Sequence, residues 1–308
     1  MDTRYSVGIP VRNEENTIVQ TLESMLYQTV PPREIIVCAN GTKDHTYEKV
    51  ADMAKSEKSI NLIISDPGKP NAWNAIVSQS TDNNILFSDG DVTINREAAE
   101  NMLAKFAENK DLVIVGGLNR YYPVDKNKLY SRFFSQNNGD AQIKGNWICG
   151  RLYMAKMNEL FSLADDLGVK LMPETIINED ELLDRVSKGH KEIIGTAYNY
   201  STHISTFHDW NIEFRRILAG NKQIRNMYPQ LFEESAMNIN RLQNYIDKFN
   251  NIQGWKNKAF KTSMFLLRQT LKAYYSVFDN LDYNNVWKET QSTKVAVDIS
   301  ALAVNSGI

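Results

Sequence analysis

The chain has little sulfur, little histidine and almost no net charge. Its 308 residues include two cysteines and four histidines, and the formal net charge is −2. Two cysteines do not make a disulfide framework. Cys38 ends an apolar run and reads as a buried thiol rather than a nucleophile. A near-neutral chain has no broad field that would draw nucleic acid or an anionic membrane. No apolar run is long enough to span a bilayer, and the opening "MDTRYSVGIPV" has no signal-peptide anatomy. These absences point to a soluble protein of the reducing cytoplasm. Internal repeats and low-complexity stretches are also missing.

What is present is ordinary in amount and ordered in arrangement. Hydrophobic residues make up 42% and charged residues 23% of the chain. That suffices for one large core, or a core with an appendage. Through the first 120 or so residues, short apolar runs alternate with helical patterns. "YSVGI", "EIIVCA", "INLIIS", "NILFS" and "DLVIVGGL" read as strands. "ENTIVQTLESMLYQ", "DHTYEKVADMAKS", "AWNAIVSQS" and "REAAENMLAKFAEN" read as the helices between them. This alternation predicts an α/β protein with a mostly parallel central sheet covered on both faces.

Further on the pattern loosens. "GNWICGRLYMAKMNEL" reads as a loop, a short strand and a helix start. "NEDELLDRVSKGH" reads as a helix capped by Asn178. "KEIIGTAYNYSTH" reads as one strand or two. From Trp210 the chain turns helical, and Pro229 interrupts it. The expected division is a catalytic domain over 1–228 and a helical region over 229–308. The helical region carries apolar residues at helical spacing: Ile239, Leu242, Tyr245, Ile246 and Phe249, then Met264, Leu266, Leu267 and Leu271. Its expected roles are packing on its own domain, homo-oligomer contact, or peripheral contact at the inner face of a membrane.

In sheets of this kind ligands bind beyond the carboxyl ends of the strands. Here those ends carry polar loops: "PVRNEEN", "NGTKD", "DPGKPN" and "SDGDV". The last is the most telling. A buried strand finishes on Asp89-Gly90-Asp91, two acids that should repel each other. A divalent cation removes that repulsion, and Mg²⁺ or Mn²⁺ commonly binds through one or two carboxylates plus substrate phosphates. A loop of solvated acids is the plainer alternative.

The order of these loops resembles the inverting family 2 glycosyltransferases with the Rossmann-like GT-A fold. "GIPVRNEENTI", "IIVCANGTKDHT", "PGKPNAWNAIV", "FSDGDV", "GRLYMAKMNEL" and "NEDELL" follow that family's order and spacing over roughly residues 5–225. "DWNIEFRRILAG" is a looser counterpart of its arginine-rich helix. The resemblance implies a metal-dependent transfer of a sugar from a nucleoside-diphosphate sugar to an acceptor hydroxyl, with inversion. It places Asp91 on Mn²⁺ or Mg²⁺, and Asp89 on the metal or the ribose. Pro10, Arg12 and Glu14 would cradle the nucleoside. Lys69 and Asn71 would approach the nucleotide, Arg216 or Arg215 the diphosphate, and His203 the metal or diphosphate. Asp180, between Glu179 and Glu181, would be the catalytic base.

One departure bears on the donor. Where that family has paired aspartates, this chain has Ala39-Asn40. The Asn40 amide can still pair with a pyrimidine, or it can signal a different base; a UDP-sugar is favoured over a GDP-sugar. Asp44 in the same loop reads equally as a helix cap. Tyr121, Tyr122 and Trp147 suit stacking on a sugar face or packing. The acceptor class stays open among glycan, lipid, peptide and small molecule. Two other functions compete. A sugar-phosphate nucleotidyltransferase would want a glycine-rich loop after the first strand, where "PVRNEEN" stands. A non-catalytic nucleotide- or carbohydrate-binding module would not need Asp89, Asp91 and Asp180 together.

Overall fold

A computed structural model describes residues 4–122, 140–232, 255–278 and 293–297. An eight-stranded sheet forms its centre, in the order β3-β2-β1-β4-β7-β6-β8-β5. The strands are β1 (Ser6–Val11), β2 (Glu34–Ala39), β3 (Ile60–Ile64), β4 (Asn84–Ser88), β5 (Val92–Ile94), β6 (Ile114–Tyr122), β7 (Leu152–Lys156) and β8 (Lys191–Thr202). Strands β1 to β4 pair in parallel, as do β6 and β8. Strands β7 and β5 run against their neighbours. Six of the eight strands therefore share one direction, and the sheet is mixed but mostly parallel, as the alternation predicts.

The pleat sends alternate residues to two separate cores. Val7, Ile9 and Val11 of β1 join Ile35 and Val37 of β2 on one face. That face is covered by α1 (Ile18–Leu26), α2 (Thr46–Ser56) and α4 (Ala98–Glu108). Ile36 and Cys38 of β2 join Ile85 and Phe87 of β4 on the other face. There the cover is α3 (Lys69–Gln79), α6 (Met157–Asp166) and α7 (Glu179–Val186). Cys38 is fully buried with a free thiol, as its place in an apolar run predicts. The second core holds an aromatic stack of Trp73 on Phe87 (5.3 Å) and Phe87 on Tyr153 (5.1 Å). The Trp73 indole N–H donates to the Tyr153 hydroxyl at 3.0 Å, so neither polar tip is stranded in the core.

One strand was absent from the sequence reading, and another settles an alternative that reading left open. "VTI" forms the short strand β5, directly after the two aspartates. Three residues are too few to show a period, so it was not visible as a strand. "KEIIGTAYNYST" is one twelve-residue strand, β8, and its register against β6 jumps between Gly117 and Leu118. That jump lets its far end also pair with β5, Val92 lying opposite Ser201.

Helix α8 (Phe207–Met227) follows β8; α5 (Asp140–Gly145) lies between β6 and β7. Thr206 caps α8 by accepting from the Asp209 N–H. The long helix α9 (Trp255–Phe278) sends Leu267, Leu271 and Tyr275 onto Trp210, Phe214 and Leu218 of α8. Leu266 of the same stripe is exposed. Residues Ile239, Leu242, Tyr245, Ile246 and Phe249, and the side chain of Met264, lie outside the described residues. Among the described residues no helix is long and apolar enough to cross a membrane.

Helix α8 also grips the segment that leads into α7. Gln223 accepts from the Ile177 N–H (2.9 Å) and donates to the Thr175 carbonyl (2.8 Å). Asn178 donates to Asn221 at 2.8 Å. Gly220 makes the approach close: a Cβ there would stand 2.3 Å from the Asn178 Cβ and 3.0 Å from its backbone nitrogen. A mid-helix glycine ordinarily costs about 1 kcal/mol against alanine, so helix propensity alone would favour Gly220→Ala. The expected outcome is the reverse, a loss of about 1–3 kcal/mol from overpacking against backbone. Urea unfolding of the variant measures it, and an unchanged or raised midpoint would contradict the contact.

Candidate active site

The carboxyl ends of β1, β2 and β4 meet at one rim, and their loops are bonded to each other. The Glu14 N–H donates to the Thr46 hydroxyl (2.7 Å) and the Glu15 N–H to the Asp44 carboxylate (3.0 Å). Asn13 sits at φ 56°, a left-handed position that asparagine tolerates, and accepts from the Lys43 N–H. Asp44 also accepts from the Thr46 N–H at 3.0 Å, so it ties the loops together, while the N-cap position of α2 is His45.

The turn Asp89-Gly90-Asp91 is held from both sides. Thr17 and Thr21, one helical turn apart on α1, each donate a hydroxyl to the Gly90 carbonyl at 3.0 Å. A Cβ on Gly90 would stand 2.9 Å from Val11 and 3.0 Å from Glu14, which is why glycine occupies the position. With β5 then pinned to β8, both aspartates face a cleft of about 160 Å³.

Of the residues expected from sequence, Pro10, Arg12, Glu14, Asn40, Lys69, Asp89, Asp91 and Arg216 line this cleft. Asp180 lines the hollow that continues from it, again with Lys69, Asp89 and Arg216. Asn71 and His203 are not among the lining residues. The Asn71 amide donates to the Pro67 carbonyl and braces the start of α3. The His203 ring packs edge-on against Tyr121, 4.4 Å between centroids. Its Nδ1 meets the Ile204 carbonyl at 2.9 Å; a carbonyl only accepts, so Nδ1 carries the proton. Burial then pushes its pKa down to about 4, with Arg151 adding to that, and the ring stays neutral. The second arginine of the pair, Arg215, lies 5.2 Å under the Tyr275 ring of α9. Tyr121 lines the continuing hollow, while Trp147 is exposed.

Lys69 stands at the centre of the charge pattern. Its ammonium meets Asp89 at 2.7 Å and Glu179 at 2.7 Å, linking the aspartate turn to α7. Burial alone would favour the neutral amine, but the two carboxylates win and raise its pKa. Burial raises the Asp91 carboxyl, and the Asp89 charge raises it further. Burial and Asp91 likewise push Glu14 up to about 8, against the pull of Lys294. Asp180 is pushed up to about 6 by burial and by Glu179, against Lys69, Arg216 and the Gly150 N–H. Of the three acids that open α7, two face the cleft. Glu181 turns away, into an ion pair with Arg185 at 2.6 Å. Glu179 and Asp180 share the first helical turn, where backbone N–H groups favour negative charge.

Sequence reasoning missed four cleft residues, one of them Thr293. Arg151 stands just before β7, and because that strand is antiparallel its beginning lies at the ligand-binding rim. Glu213 lies one turn into α8, before Arg216. Lys294 comes from near the C-terminus and pairs with Glu14. The direction of β7 was the available signal for Arg151; for Lys294 there was none.

Asp89 and Asp91 fit a divalent cation by their chemistry. Two carboxylates share one buried turn, and the cations near them leave Asp91 short of compensation. Among the described residues no group of three His, Cys, Asp or Glu side chains could hold a metal. The protein would thus give two oxygen ligands and leave the rest to phosphate and water, as Mg²⁺ and Mn²⁺ sites often do.

The chain is similar to several known proteins. The Glycosyl transferase family 2 model matches residues 6–161. The poly-beta-1,6-N-acetyl-D-glucosamine synthase of Staphylococcus epidermidis is 33% identical over 107 residues, 34% of this chain and 26% of that protein. The chondroitin synthase of Pasteurella multocida is 32% identical over 265 residues, 83% of this chain and 25% of that protein. The chain spans about a quarter of the length of these curated relatives. Among solved structures, a mannosyltransferase of Pyrobaculum calidifontis, in complex with GDP-Man and Mn²⁺, shares the fold. Its TM-score is 0.57 at 16% identity, covering 90% of this chain and 88% of that one. TarS 1-349 of Staphylococcus aureus, in complex with UDP-GlcNAc, gives 0.51 at 17% identity, over 92% and 78%. The sheet order, the acidic turn after β4 and the acidic start of α7 therefore stand in a chain that belongs to glycosyl transferase family 2.

Proposed function

We propose that this chain transfers a sugar from a UDP-sugar to an acceptor hydroxyl with inversion at the anomeric carbon. The carrying observation is the convergence of Asp89, Asp91 and Asp180 on one connected cleft with Lys69, Arg151 and Arg216. Acids alone would repel a diphosphate, and cations alone would leave no base. The cleft and the hollow that continues from it hold both kinds of charge.

Asn40 supports uracil. Its side-chain N–H₂ donates to the Val11 carbonyl at 2.9 Å, so the amide oxygen is the group it can turn toward a base. That oxygen accepts, as an aspartate would. Uracil offers an N3–H to it, whereas cytosine offers a lone pair at the same place. UDP should therefore bind at least about tenfold more tightly than CDP, one unmatched buried hydrogen bond being worth about that much. Calorimetry with both nucleotides measures the ratio, and equal affinities would take Asn40 out of base recognition.

The divalent cation, held by Asp91 and Asp89, would stabilise the negative charge that develops on the departing diphosphate. Donor turnover should then vanish with a chelator and return with Mn²⁺ or Mg²⁺. Asp91→Asn should lose metal-dependent UDP affinity. Full activity in excess chelator would contradict the assignment.

Asp180 takes the proton of the acceptor hydroxyl as the new bond forms. Such a base is typically worth about 10²–10⁴-fold in rate. Glu179 cannot readily do the same work, because its carboxylate is spent on Lys69. Asp180→Asn keeps the shape and can still accept from the Gly150 N–H, so UDP binding should persist while transfer falls by at least about a hundredfold. The pH profile follows by sign. The Asp180 pKa is raised to about 6, so the ionised base is lost as pH falls through that value, and kcat/KM should drop there. Measured turnover of Asp180→Asn within threefold or so of the parent would remove Asp180 from the mechanism.

A further inference from the structure

Residues Thr293–Val297 reach the donor cleft from the far end of the chain. They lie in no strand or helix of the sheet domain, yet side chains fasten them at both ends. The Thr202 hydroxyl at the end of β8 donates to the Thr293 carbonyl at 2.6 Å. The Gln20 amide of α1 donates to the Val297 carbonyl (2.7 Å) and accepts from the Val297 N–H (3.1 Å). Thr293 and Val297 are buried, while Val295 between them is exposed. The segment is thus a strap laid across the rim, and one of its residues brings a charge into the cleft. That residue is Lys294. Its ammonium pairs with the Glu14 carboxylate and lies 3.5 Å from the Arg12 carbonyl, among the residues lining the cleft.

A strap needed only for packing would place an apolar residue there. A lysine in a half-closed cleft gives up hydration and side-chain entropy, and Glu14 alone could be neutralised by taking a proton. The charge inventory of the cleft points elsewhere. Lys69 is committed to Asp89 and Glu179. Arg151 and Arg216 line the cleft as well, and both also reach the hollow that holds Asp180. At the end formed by Pro10, Arg12, Glu14 and Asn40, Lys294 adds a second cation to Arg12, and one that an incoming phosphate can draw off Glu14.

We propose that Lys294 is a donor-binding residue, carried over the nucleotide pocket by the strap Thr293–Val297, and that it holds the phosphate charge of a nucleoside diphosphate. This rests on the donor reading given above and extends it to a part of the chain that reading does not use. A lysine serves such a ligand as a compact point charge with three rotatable donors.

The test is UDP and uridine binding by calorimetry, in Mn²⁺, on the full chain. Lys294→Ala should weaken UDP by about tenfold to a hundredfold, the usual range for a lost charge-assisted hydrogen bond. Uridine, which lacks phosphate, should change little. Lys294→Arg should recover most of the UDP affinity. Gln20→Ala loosens the strap from α1 without touching the cleft and should weaken UDP in the same direction. Equal losses for UDP and uridine would overturn the phosphate role. Tighter UDP binding in Lys294→Ala or Gln20→Ala would overturn the proposal in favour of a plug that donor must displace. Wild-type protein that binds UDP while Lys294→Ala binds it equally would overturn this inference alone. Wild-type protein that binds neither UDP nor GDP would overturn the donor reading and this inference with it.

Discussion

Carboxylates crowded at one rim of a poorly hydrated sheet are the constraint around which this protein is arranged. Glu14, Asp89, Asp91, Glu179 and Asp180 converge from two loops and one helix start. In water their mutual repulsion would be slight, but in a partly dry cleft it is several-fold larger. Lys69 meets the largest share of it by bridging Asp89 and Glu179. Its own location is unfavourable by local rules. It occupies the first turn of α3, where the helix dipole disfavours a cation, and the Gly68 before it needs φ 130°. A local rule broken at a helix start, and compensated only by residues far away in sequence, is the pattern expected of a functional site.

The same constraint explains the packing underneath. The acids must not move, or the balance with Lys69 is lost. Thr17 and Thr21 clamp the aspartate turn from α1, and Gly90 lets it settle against Val11 and Glu14. The stack of Trp73, Phe87 and Tyr153 ties α3, β4 and β7 together directly below Lys69 and Gly150. On the opposite wall, Gln223 and Gly220 of α8 fix the approach of the chain to Asp180. Rigid elements therefore hold both ends of the cleft, which preorganises charge before any ligand arrives.

Much of this was legible in the sequence because it is local. Alternating apolar runs and helical spacings gave the sheet and its two faces. Loops rich in Asn, Gly and Asp at successive strand ends gave the rim, since ligand sites in such sheets lie there. What escaped was non-local. A three-residue strand such as β5 carries no period, and the direction of β7 depends on which neighbour it pairs with. Arg151 enters the cleft only because that direction is reversed. His203 sits near the site in sequence order, yet its ring turns to Tyr121 and the Ile204 carbonyl instead of the cleft. Lys294 is about 280 residues from Glu14, and no spacing rule joins them.

The pair Glu179 and Asp180 shows how environment can divide work between adjacent acids. Both open α7 and feel the same helix dipole. Glu179 reaches Lys69 at 2.7 Å and so ties α7 to the aspartate turn. Asp180 accepts from the Gly150 N–H at 3.4 Å and the Glu181 N–H at 2.9 Å; burial and Glu179 oppose its ionisation and outweigh the nearby charges of Lys69 and Arg216. The fixed charge of one acid thus raises the proton affinity of the other. On that reasoning Glu179→Gln would do two opposite things: release Lys69 and lower the Asp180 pKa. The second effect makes Asp180 a weaker base, so the spectator acid tunes the proposed catalyst through its charge as much as through its ion pair.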